Sequence, residues 1–356
     1  MVYSAGVLVS LTQQLKARTS LTPEQVRDAV AALVSESETT EAKADFLTAL
    51  AQKKEAPEEI AAFANELRAR SVAVRVHDQT RGNEILDVCG TGGDRLNTFN
   101  ISTTVALVAA AAGIAVAKHG NRAITSQSGS ADVLEALGVR VDLPPADAAA
   151  WLHEYKFAFF FAPNYHPAFK HIGPARKLCA ERGQRTIFNF LGPLLNPARP
   201  SAQLIGVPRP ELCDTIARVL QTLGVRRGMV VSGCVDEMGA CFLDELSTLG
   251  PSNVAEFYHE RGFTSSTLSQ KDFPLQKATL TDLAGADRAS NAQIVSAIVH
   301  GKDKGPKRDA VLLNASAALV VGGRVKSMTE GWSVAERLID DGGASEKLDQ
   351  LRNASK

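Results

Sequence analysis

A glycine-rich loop between two apolar runs sets the strongest limit on how this chain folds. Residues 85–88 are mostly apolar, Gly90, Gly92 and Gly93 follow almost at once, and an Ala/Val/Leu-rich run starts near residue 105. This order predicts a strand, a tight loop and the start of a helix. Glycine lets a ligand reach backbone N–H groups, and a helix N-terminus offers free N–H donors. We therefore expect an anion site here, although a plain tight turn would use the same glycines.

Length, charge and cysteine usage narrow the class of protein. The 356 residues suffice for two domains, and 39 basic residues balance 39 acidic ones. Zero net charge argues against a general binder of nucleic acid or acidic membranes. The cysteines show no CxxC spacing, which favours free thiols in a reducing compartment over disulfides or a zinc site. They are Cys89, Cys179, Cys213, Cys234 and Cys241.

The sequence predicts neither a secretory signal nor a membrane span. Residues 1–20 lack an apolar core that is followed by a small-residue cleavage site. The most apolar stretch, residues 105–117, is shorter than the roughly 20 residues that cross a bilayer. We expect a soluble, cytoplasmic protein.

Residues 1 to about 75 carry only helical signals. Thr22, Pro23 and Gln25 form a capping box with proline at the first helical position. Further helices are predicted from Thr40 and from near Pro57, each with apolar residues at helical spacing. This part is expected to pack without contributing chemistry.

From residue 84 onward, short apolar runs alternate with helical patterns. Strands are predicted at 85–88, 114–117, 157–161, 204–207, 229–232 and 254–258, and helices at about 102–112, 131–137, 210–223, 309–322, 327–341 and 345–353. Residues 302–308 are expected to form a solvated basic linker. The alternation predicts βαβ units, a mainly parallel sheet and ligand binding off the carboxyl ends of the strands.

Two more clusters follow predicted strands or precede predicted helices. Residues 118–122 supply Lys118 and Arg122 after the second strand, and residues 126–132 are rich in hydroxyl groups and small residues. Charge-assisted donors suit phosphate, although capping and turn chemistry explain each cluster alone. Three such loops at one edge of a sheet predict a ligand with more than one phosphate.

Adjacent acids offer hard oxygen ligands. Asp244 and Glu245 suit Mg²⁺, which commonly keeps waters and bridges to substrate phosphates. A rival pair, Asp236 and Glu237, lies eight residues earlier, and spacing alone does not choose between them. The plainer interpretation of either pair is a solvated surface.

Aromatic and basic residues after the strand at 157–161 suit a planar acid. Residues 164–170 and then Arg176 allow ring stacking and a bidentate grip on a carboxylate. The alternative is a helix with an exposed Arg176. His119, His166 and His171 are candidate acid–base groups, but without a visible partner each is expected to be structural.

Taken together, these motifs resemble the anthranilate phosphoribosyltransferase family. The matching stretches are residues 90–94, 100–103, 118–122, 128–138, 166–167, 185–189, 191–194, 196–197, 244–247 and 308–319. The resemblance covers nearly the whole chain. It implies the nucleoside phosphorylase-like phosphoribosyltransferase fold, with a helical domain over 1–75 that part of 170–195 joins, and an α/β domain over 84–356 with a mainly parallel sheet. It also implies a homodimer formed largely through the helical domains.

The resemblance implies a reaction and a set of site residues. The family transfers phosphoribosyl from 5-phosphoribosyl 1-diphosphate to the amine of anthranilate, with release of diphosphate, in tryptophan biosynthesis. Residues implied to bind the donor are Gly90, Gly93, Asp94, Thr98, Asn100, Ile101, Ser102, Thr103, Lys118, Ser126 and Ser130. Ser102, Asp244 and Glu245 would serve Mg²⁺. Gly90, Asn121 and Arg176 would bind anthranilate.

No general base is assigned, because an arylamine is already a nucleophile. Catalysis is expected to come from positioning and electrostatics. If His119 or His166 acted as a base, its replacement would reduce turnover far more than binding.

The sequence departs from the common family pattern mainly near the acceptor. Residues 164–165 replace a frequent histidine before His166, the stretch 176–185 is longer, and Arg95 stands where a small residue is frequent. Two alternatives follow: a paralogue with another aromatic acceptor, and a non-catalytic relative that binds nucleic acid. Neutral charge and the complete donor motifs argue against the second.

Overall fold

The computed structural model describes residues 6–123, 127–235 and 241–356. Four helices come first: α1 Val7–Lys16, α2 Pro23–Val34, α3 Thr40–Lys53 and α4 Pro57–Ala69. At the start of α2 the Thr22 hydroxyl accepts from the Gln25 N–H, and the Gln25 side chain accepts from the Thr22 N–H. The predicted capping box is confirmed, and so are the helices predicted from Thr40 and Pro57.

The remainder of the chain alternates strands and helices. In chain order they are α5 Asp78–Arg81, β1 Ile85–Gly90, α6 Ile101–Ala111, β2 Ala115–Gly120, α7 Ser130–Ala136, α8 Pro145–Glu154, β3 Phe157–Phe161, α9 Ala162–Tyr165, α10 Gly173–Glu181, α11 Phe188–Leu191, β4 Ala202–Gly206, α12 Leu212–Thr222, β5 Arg227–Cys234, β6 Phe242–Leu243, β7 Ser252–Tyr258, β8 Arg261–Leu268, α13 Arg288–Val299, α14 Pro306–Val321, α15 Met328–Asp340 and α16 Gly343–Ala354. Short 3₁₀ turns lie at Pro167–His171, Gly192–Leu195, Gln270–Asp272 and Leu280–Leu283.

The strands form one sheet in the order β3-β2-β1-β4-β5-β7-β8, with β6 also paired to β5. Strands β1 to β5 are parallel, whereas β6, β7 and β8 pair antiparallel. The predicted mainly parallel sheet is confirmed. The chain leaves β1 toward β2 and β3 and returns on the other side at β4, so the strand order reverses between β1 and β4. The carboxyl ends of two strands at such a reversal form a natural ligand crevice.

Each face of the sheet is covered by its own apolar layer. Neighbouring residues of β1 and β4 point to opposite faces, so Val88 and Leu204 join one core while Cys89 and Ile205 join the other. The first core packs under α6, α14 and α16, and the second packs under α12 and the N-terminal helices. Burial on both faces explains why the central strands are continuous apolar runs.

After β3 the chain returns to the N-terminal helices. Lys43 Nζ donates to the His171 carbonyl oxygen (3.0 Å), and Arg182 pairs with Asp45 (3.0 Å). The Cys179 thiol donates to the Ala44 carbonyl oxygen (3.5 Å) on α3. Helix α10 therefore packs on the helical bundle.

The predicted basic linker at 302–308 is wrong for its last residues. Helix α14 begins at Pro306, and Arg308 is buried in its first turn. The Arg308 guanidinium pairs with Asp340 (2.8 Å) on α15, and this ion pair draws it inward. None of the described helices has both the length and the apolar composition needed to cross a membrane.

Candidate active site

The site is built where β1 and β4 end side by side. Gly90 pairs with Gly206 in the parallel register, and Asp244 lies against both. A Cβ on Gly90 would lie 2.0 Å from Asp244 Oδ2, and a Cβ on Gly206 would lie 1.5 Å from the Asp244 carbonyl oxygen. Glycine at both positions therefore lets the acidic segment approach the sheet edge.

The predicted glycine loop wraps over this acid. The Gly92 N–H donates to Asp244 Oδ2 (2.7 Å). Gly92 and Gly93 have φ of 74° and 88°, and Arg95 and Asn97 have φ of 63° and 52°. A side chain at Gly92 or Gly93 would have open space, so conformation rather than crowding favours glycine there.

Asn100 stands at the start of α6 without capping the helix. The Asn100 side chain makes no capping hydrogen bond to α6. In the first turn the Ile101 N–H donates to the Phe99 carbonyl oxygen (2.7 Å) and the Ser102 N–H donates to the Glu245 carboxylate, so the helix start and the acidic pair lie together. Asn100 Nδ2 donates to the Ser128 carbonyl oxygen (3.4 Å), and Asn100 Oδ1 accepts from Asn291 Nδ2 (3.1 Å). The preceding loop is tied by Thr98, which bridges to Ala284. These contacts hold the open end of the helix beside the residues that lead into α7.

Lys118 on β2 is a buried cation. Its Nζ donates to the Val88 carbonyl oxygen (2.7 Å) and to Ser102 Oγ (3.4 Å), and it forms no ion pair with any described residue. Burial lowers the pKa of Lys118, and the charges of Cys89, Asp87 and Glu245 oppose that shift. An ammonium group in this position favours an anion beside it.

Glu245 is a buried acid, Asp244 beside it is half-buried at the surface of the crevice, and both have few donors. Burial, and then the nearby charge of Asp94, raise the pKa of Asp244 to about 7, and the Gly92 N–H opposes this. Burial and the Asp244 charge raise the pKa of Glu245 well above its usual value. Such crowded hard oxygens fit a divalent cation, which would remove the repulsion.

The described residues contain no group of three His, Cys, Asp or Glu side chains arranged for a metal ion. A cation here would therefore be coordinated by one or two carboxylates together with oxygens of the bound ligand and water. Mg²⁺ is usually coordinated in this way. The rival pair Asp236 and Glu237 lies outside the described residues. The choice between the two pairs stays open.

The second and third predicted clusters meet at the end of β2. The Asn121 carbonyl oxygen accepts from the Ala131 N–H (3.3 Å) and Ser130 Oγ (3.4 Å). A Cβ on Gly120 would lie 2.3 Å from Ser130 Oγ, so glycine permits this contact. Ser126 lies outside the described residues.

Arg122 is less available for a phosphate than the sequence pattern suggests. Its guanidinium pairs with Glu135 on α7 (2.6 Å) and lies over the Phe161 ring. Lys118 is the cation of this cluster that keeps no acidic partner among the described residues.

On the acceptor side a row of rings leads to Arg176. The Arg176 guanidinium lies 5.3 Å from the Phe188 ring centre, which is 5.7 Å from the Phe169 ring centre. Phe169 stacks on His166 (5.2 Å), and His166 meets His119 edge-on (5.3 Å). Arg176 is half-buried on α10 and has no acidic partner among the described residues, so the alternative of an exposed helical arginine is wrong.

Both histidines of this row are neutral at pH 7. Burial lowers the pKa of His119 to about 3 and that of His166 to about 4. Nδ1 of His119 donates to the Gly192 carbonyl oxygen (3.2 Å), which leaves Nε2 unprotonated. Nε2 of each ring is buried without a hydrogen-bond partner among the described residues.

Several residues of the site were not predicted from the sequence. Asp87 is fully buried under the loop, accepting from Asn196 Nδ2 (2.8 Å) and the His119 N–H (3.3 Å), and burial raises its pKa to about 6. The sequence feature that could have identified Asp87 is an acidic residue inside an otherwise apolar predicted strand. Phe188 lies in the stretch 185–189 that carries the family resemblance but was not assigned a role, whereas Asn291 lies far along the chain from Asn100 and no local pattern marks it.

The chain matches two family descriptions. "Glycosyl transferase family, helical bundle domain" matches residues 9–71, and "Glycosyl transferase family, a/b domain" matches residues 82–345. The second alone covers most of the chain.

Relatives and solved structures match along the whole length. An anthranilate phosphoribosyltransferase of Herpetosiphon aurantiacus is 43% identical over 95% of this chain and 96% of its own. The crystal structure of that enzyme from Thermus thermophilus is 38% identical with a TM-score of 0.86, covering 97% of this chain and 99% of that one.

The Saccharomyces cerevisiae enzyme, solved in complex with PRPP and Mg, has a TM-score of 0.86 at 28% identity, covering 99% of this chain and 98% of that one. These matches confirm the resemblance and the fold class that the motifs predict. This chain belongs to the anthranilate phosphoribosyltransferase family.

Proposed function

We propose that this chain transfers phosphoribosyl from 5-phosphoribosyl 1-diphosphate to the amine of anthranilate and releases diphosphate, as a Mg²⁺-dependent step of tryptophan biosynthesis. One observation carries the proposal. The glycine loop, the start of α6 and Lys118, which has no acidic partner within ion-pair distance among the described residues, converge on one crevice at the carboxyl ends of β1, β2 and β4. The names of the matched relatives specify the same substrate.

The donor occupies this crevice. Loop N–H groups and the first turn of α6 bind its phosphates, while Lys118 supplies the balancing positive charge. The donor-binding set is Gly90, Gly93, Asp94, Thr98, Asn100, Ile101, Ser102, Thr103, Lys118, Ser126 and Ser130. The contacts of Lys118 with Ser102, and of Asn100 with Ser128, support a single shared site.

Ser102, Asp244 and Glu245 would hold Mg²⁺, directly or through water. The raised pKa values of both acids support this assignment, because Gly92, Lys118 and Ser102 offset the cost of burying the two ionised carboxylates only in part. When bound, the ion offsets the negative charge of the diphosphate.

Residues of the chain stabilise the leaving group rather than the nucleophile. The C1–O bond to diphosphate breaks while positive charge grows on the ribose and negative charge grows on the leaving oxygen. Lys118 is held in place by the Val88 carbonyl oxygen, and the Gly92 N–H by Asp244, so these groups would stabilise the leaving group from fixed positions. His119 and His166 are too weakly basic to serve as strong general bases, because burial lowers the pKa of each.

Anthranilate binds through Gly90, Asn121 and Arg176. The Arg176 fork suits the carboxylate, and the ring row of Phe188, Phe169 and His166 offers faces for the aromatic acceptor.

The test follows anthranilate fluorescence with purified protein. The signal is expected to fall only when both donor and Mg²⁺ are present. Diphosphate release with other arylamines but not with anthranilate would establish a different acceptor. Salt-sensitive duplex binding without any turnover would overturn the enzymatic proposal in favour of a nucleic-acid-binding relative.

Three further features belong to this proposal. They are a homodimer formed through the helical domains, a cytoplasmic location, and a division into 1–75 and 84–356 with part of 170–195 in the helical unit. The packing of α10 on α3 supports the last of these.

A further inference from the structure

A polar cavity lies at the amino ends of β4 and β5, on the side of the sheet opposite to the donor crevice at the carboxyl ends. Its volume is about 230 Å³. One wall comes from α4, and the others come from the segments that precede β4 and β5. The lining residues are Asn65, Arg68, Arg199, Pro200, Ser201, Leu223, Gly224 and Arg226.

The cavity carries an excess of positive charge. Of its three arginines only Arg226 forms an ion pair, with Glu84 at 3.1 Å. A fourth arginine, Arg81, lies beside the cavity and donates to the Arg199 carbonyl oxygen (2.8 Å). Within the described part of the chain, Arg68, Arg81 and Arg199 have no acid at ion-pair distance. Glu84 is thus the one acid among the described residues that forms an ion pair with any of these four arginines, and the buried Asp87 acts on Arg68 from a greater distance.

Arg68 shows most directly that this charge lacks compensation. The residue is 7% exposed, its Nε donates to the Leu194 carbonyl oxygen (2.5 Å), and its buried Nη2 has no hydrogen-bond partner among the described residues. Burial and the charge of Arg199 lower the pKa of Arg68 to about 10, which leaves it protonated at neutral pH. A buried guanidinium with an unused donor is costly unless an anion meets it.

We propose that this cavity binds a small phosphate-bearing anion, such as inorganic phosphate, diphosphate or a compact phosphate ester. The planar guanidinium fork matches phosphate oxygens in pairs, and several forks around one cavity favour a multiply charged anion over chloride. The cavity is smaller than the roughly 300–1,000 Å³ of pockets for drug-sized ligands, which favours a compact ligand.

This site is separate from the proposed active site. The donor crevice lies at the carboxyl ends of the parallel strands, whereas Arg199 and Arg226 precede the amino ends of β4 and β5. Because α4 supplies one wall, a bound anion would link the helical bundle to the sheet and stabilise their arrangement.

The test uses calorimetric titration of the full chain with inorganic phosphate and, separately, diphosphate, at constant ionic strength with EDTA. EDTA removes divalent cations, which weakens diphosphate binding in the donor crevice. The test protein carries Arg199→Asn and Arg226→Gln. Asparagine is chosen because Arg199 has φ of 50°, a conformation that asparagine tolerates. The matched control carries Arg140→Gln and Arg182→Gln, two exposed arginines that pair with surface acids.

Wild type and control are expected to bind with the same affinity, and the test protein at least about tenfold more weakly. The anion should also raise the thermal unfolding midpoint of wild type by more than that of the test protein. Without anion the test protein should unfold in one cooperative transition, which confirms that it folds; relief of the Arg199 repulsion on Arg68 opposes the loss of the Arg226–Glu84 ion pair. Equal binding by the test protein, or no binding by wild type at millimolar anion, would overturn the proposal.

Discussion

Lys118 is buried beside main-chain and hydroxyl oxygens instead of an acid. A buried ammonium without a counter-ion weakens folding, so its presence is best explained by ligand binding. For the two acids of the site, burial disfavours the ionised carboxylate, and it raises the pKa of both Asp244 and Glu245. At the scale of single residues, the buried charges of the crevice compensate one another only in part, and substrate and metal would supply the rest.

Lys118→Met should separate stability from function. Methionine fills the space without a buried charge, so the free energy of unfolding should change by no more than about 1 kcal/mol. The donor loses its balancing charge, so kcat/KM should fall by roughly 10²–10³-fold. Denaturant unfolding and steady-state kinetics measure the two effects.

Lys347→Met is the matched control for Lys118→Met. Lys347 is partly buried, donates to the Tyr155 carbonyl oxygen (2.8 Å) and has a pKa lowered by burial, but it lies outside the crevice. Its replacement should leave kcat/KM unchanged. Similar loss of activity in both variants would contradict the role given to Lys118.

His166 should make stability depend on pH. Its folded pKa of about 4 lies below the ordinary histidine value, so between pH 6.5 and 4 only the unfolded chain takes the proton. The stabilisation is present above pH 6.5 and is lost as pH falls toward 4. Glutamine does not titrate in this range. The difference in free energy of unfolding between wild type and His166→Gln should therefore be smaller at pH 5 than at pH 7 by roughly 2 kcal/mol.

Denaturant unfolding at the two pH values measures this effect of His166. Comparison with the variant isolates His166, because His119 and Asp87 also have shifted pKa values and act in both proteins. If the free energies of unfolding of variant and wild type differ by the same amount at both pH values, the assignment of His166 as a buried, neutral histidine is wrong.

At the scale of elements, the loop after β1 and the segment after β6 form one unit. The Gly92 N–H donates to Asp244, and the ends of β1 and β4 crowd the same acid. Two segments more than 150 positions apart therefore shape one anion and metal site.

Asp244→Asn should test the metal assignment. The amide oxygen can still accept from the Gly92 N–H, so the loop should stay in place and stability should not fall. Mg²⁺-dependent turnover should be lost, and direct Mg²⁺ titration in the presence of donor should show at least about tenfold weaker binding. Asp236→Asn is the comparison. Loss of Mg²⁺ dependence in Asp236→Asn alone would move the metal site to the rival pair.

Elements were predictable where burial is uniform. Residues 157–161 are all apolar, and β3 occupies those positions. Strand β8 was missed because it is an exposed edge strand, Arg261–Leu268, rich in serine and threonine without an apolar face. The helices Pro145–Glu154 and Arg288–Val299 were also missed. Both carry local start signals that were not used for the predictions: Pro145 stands in the first turn of one, and the Asp287 side chain caps the other by accepting from the Ser290 N–H.

At the scale of the whole molecule, the helical bundle carries the most exposed large apolar side chain among the described residues. Val9 on α1 is 57% exposed. A single exposed apolar residue is ordinary on a protein surface, but Val9 lies on the unit proposed to form the dimer and is therefore a suitable position at which to test that proposal.

Val9→Glu should weaken the dimer without unfolding the chain. Light scattering after size exclusion is expected to give twice the chain mass for wild type and a shift toward monomer for the variant at low concentration. Gln350→Glu, which adds the same charge on α16, should remain dimeric. A monomeric wild type would refute the dimer proposal.

Local patterns and contiguous motifs were enough to predict most of the order of strands and helices, the glycine loop and the family. They did not predict that Asp244 lies against Gly90 and Gly206, that Lys118 has no acidic partner among the described residues, or that Arg68 faces a cationic cavity. Those facts came from the folded arrangement. Burial and charge compensation depend on which distant segments the fold brings together, and no local pattern encodes them.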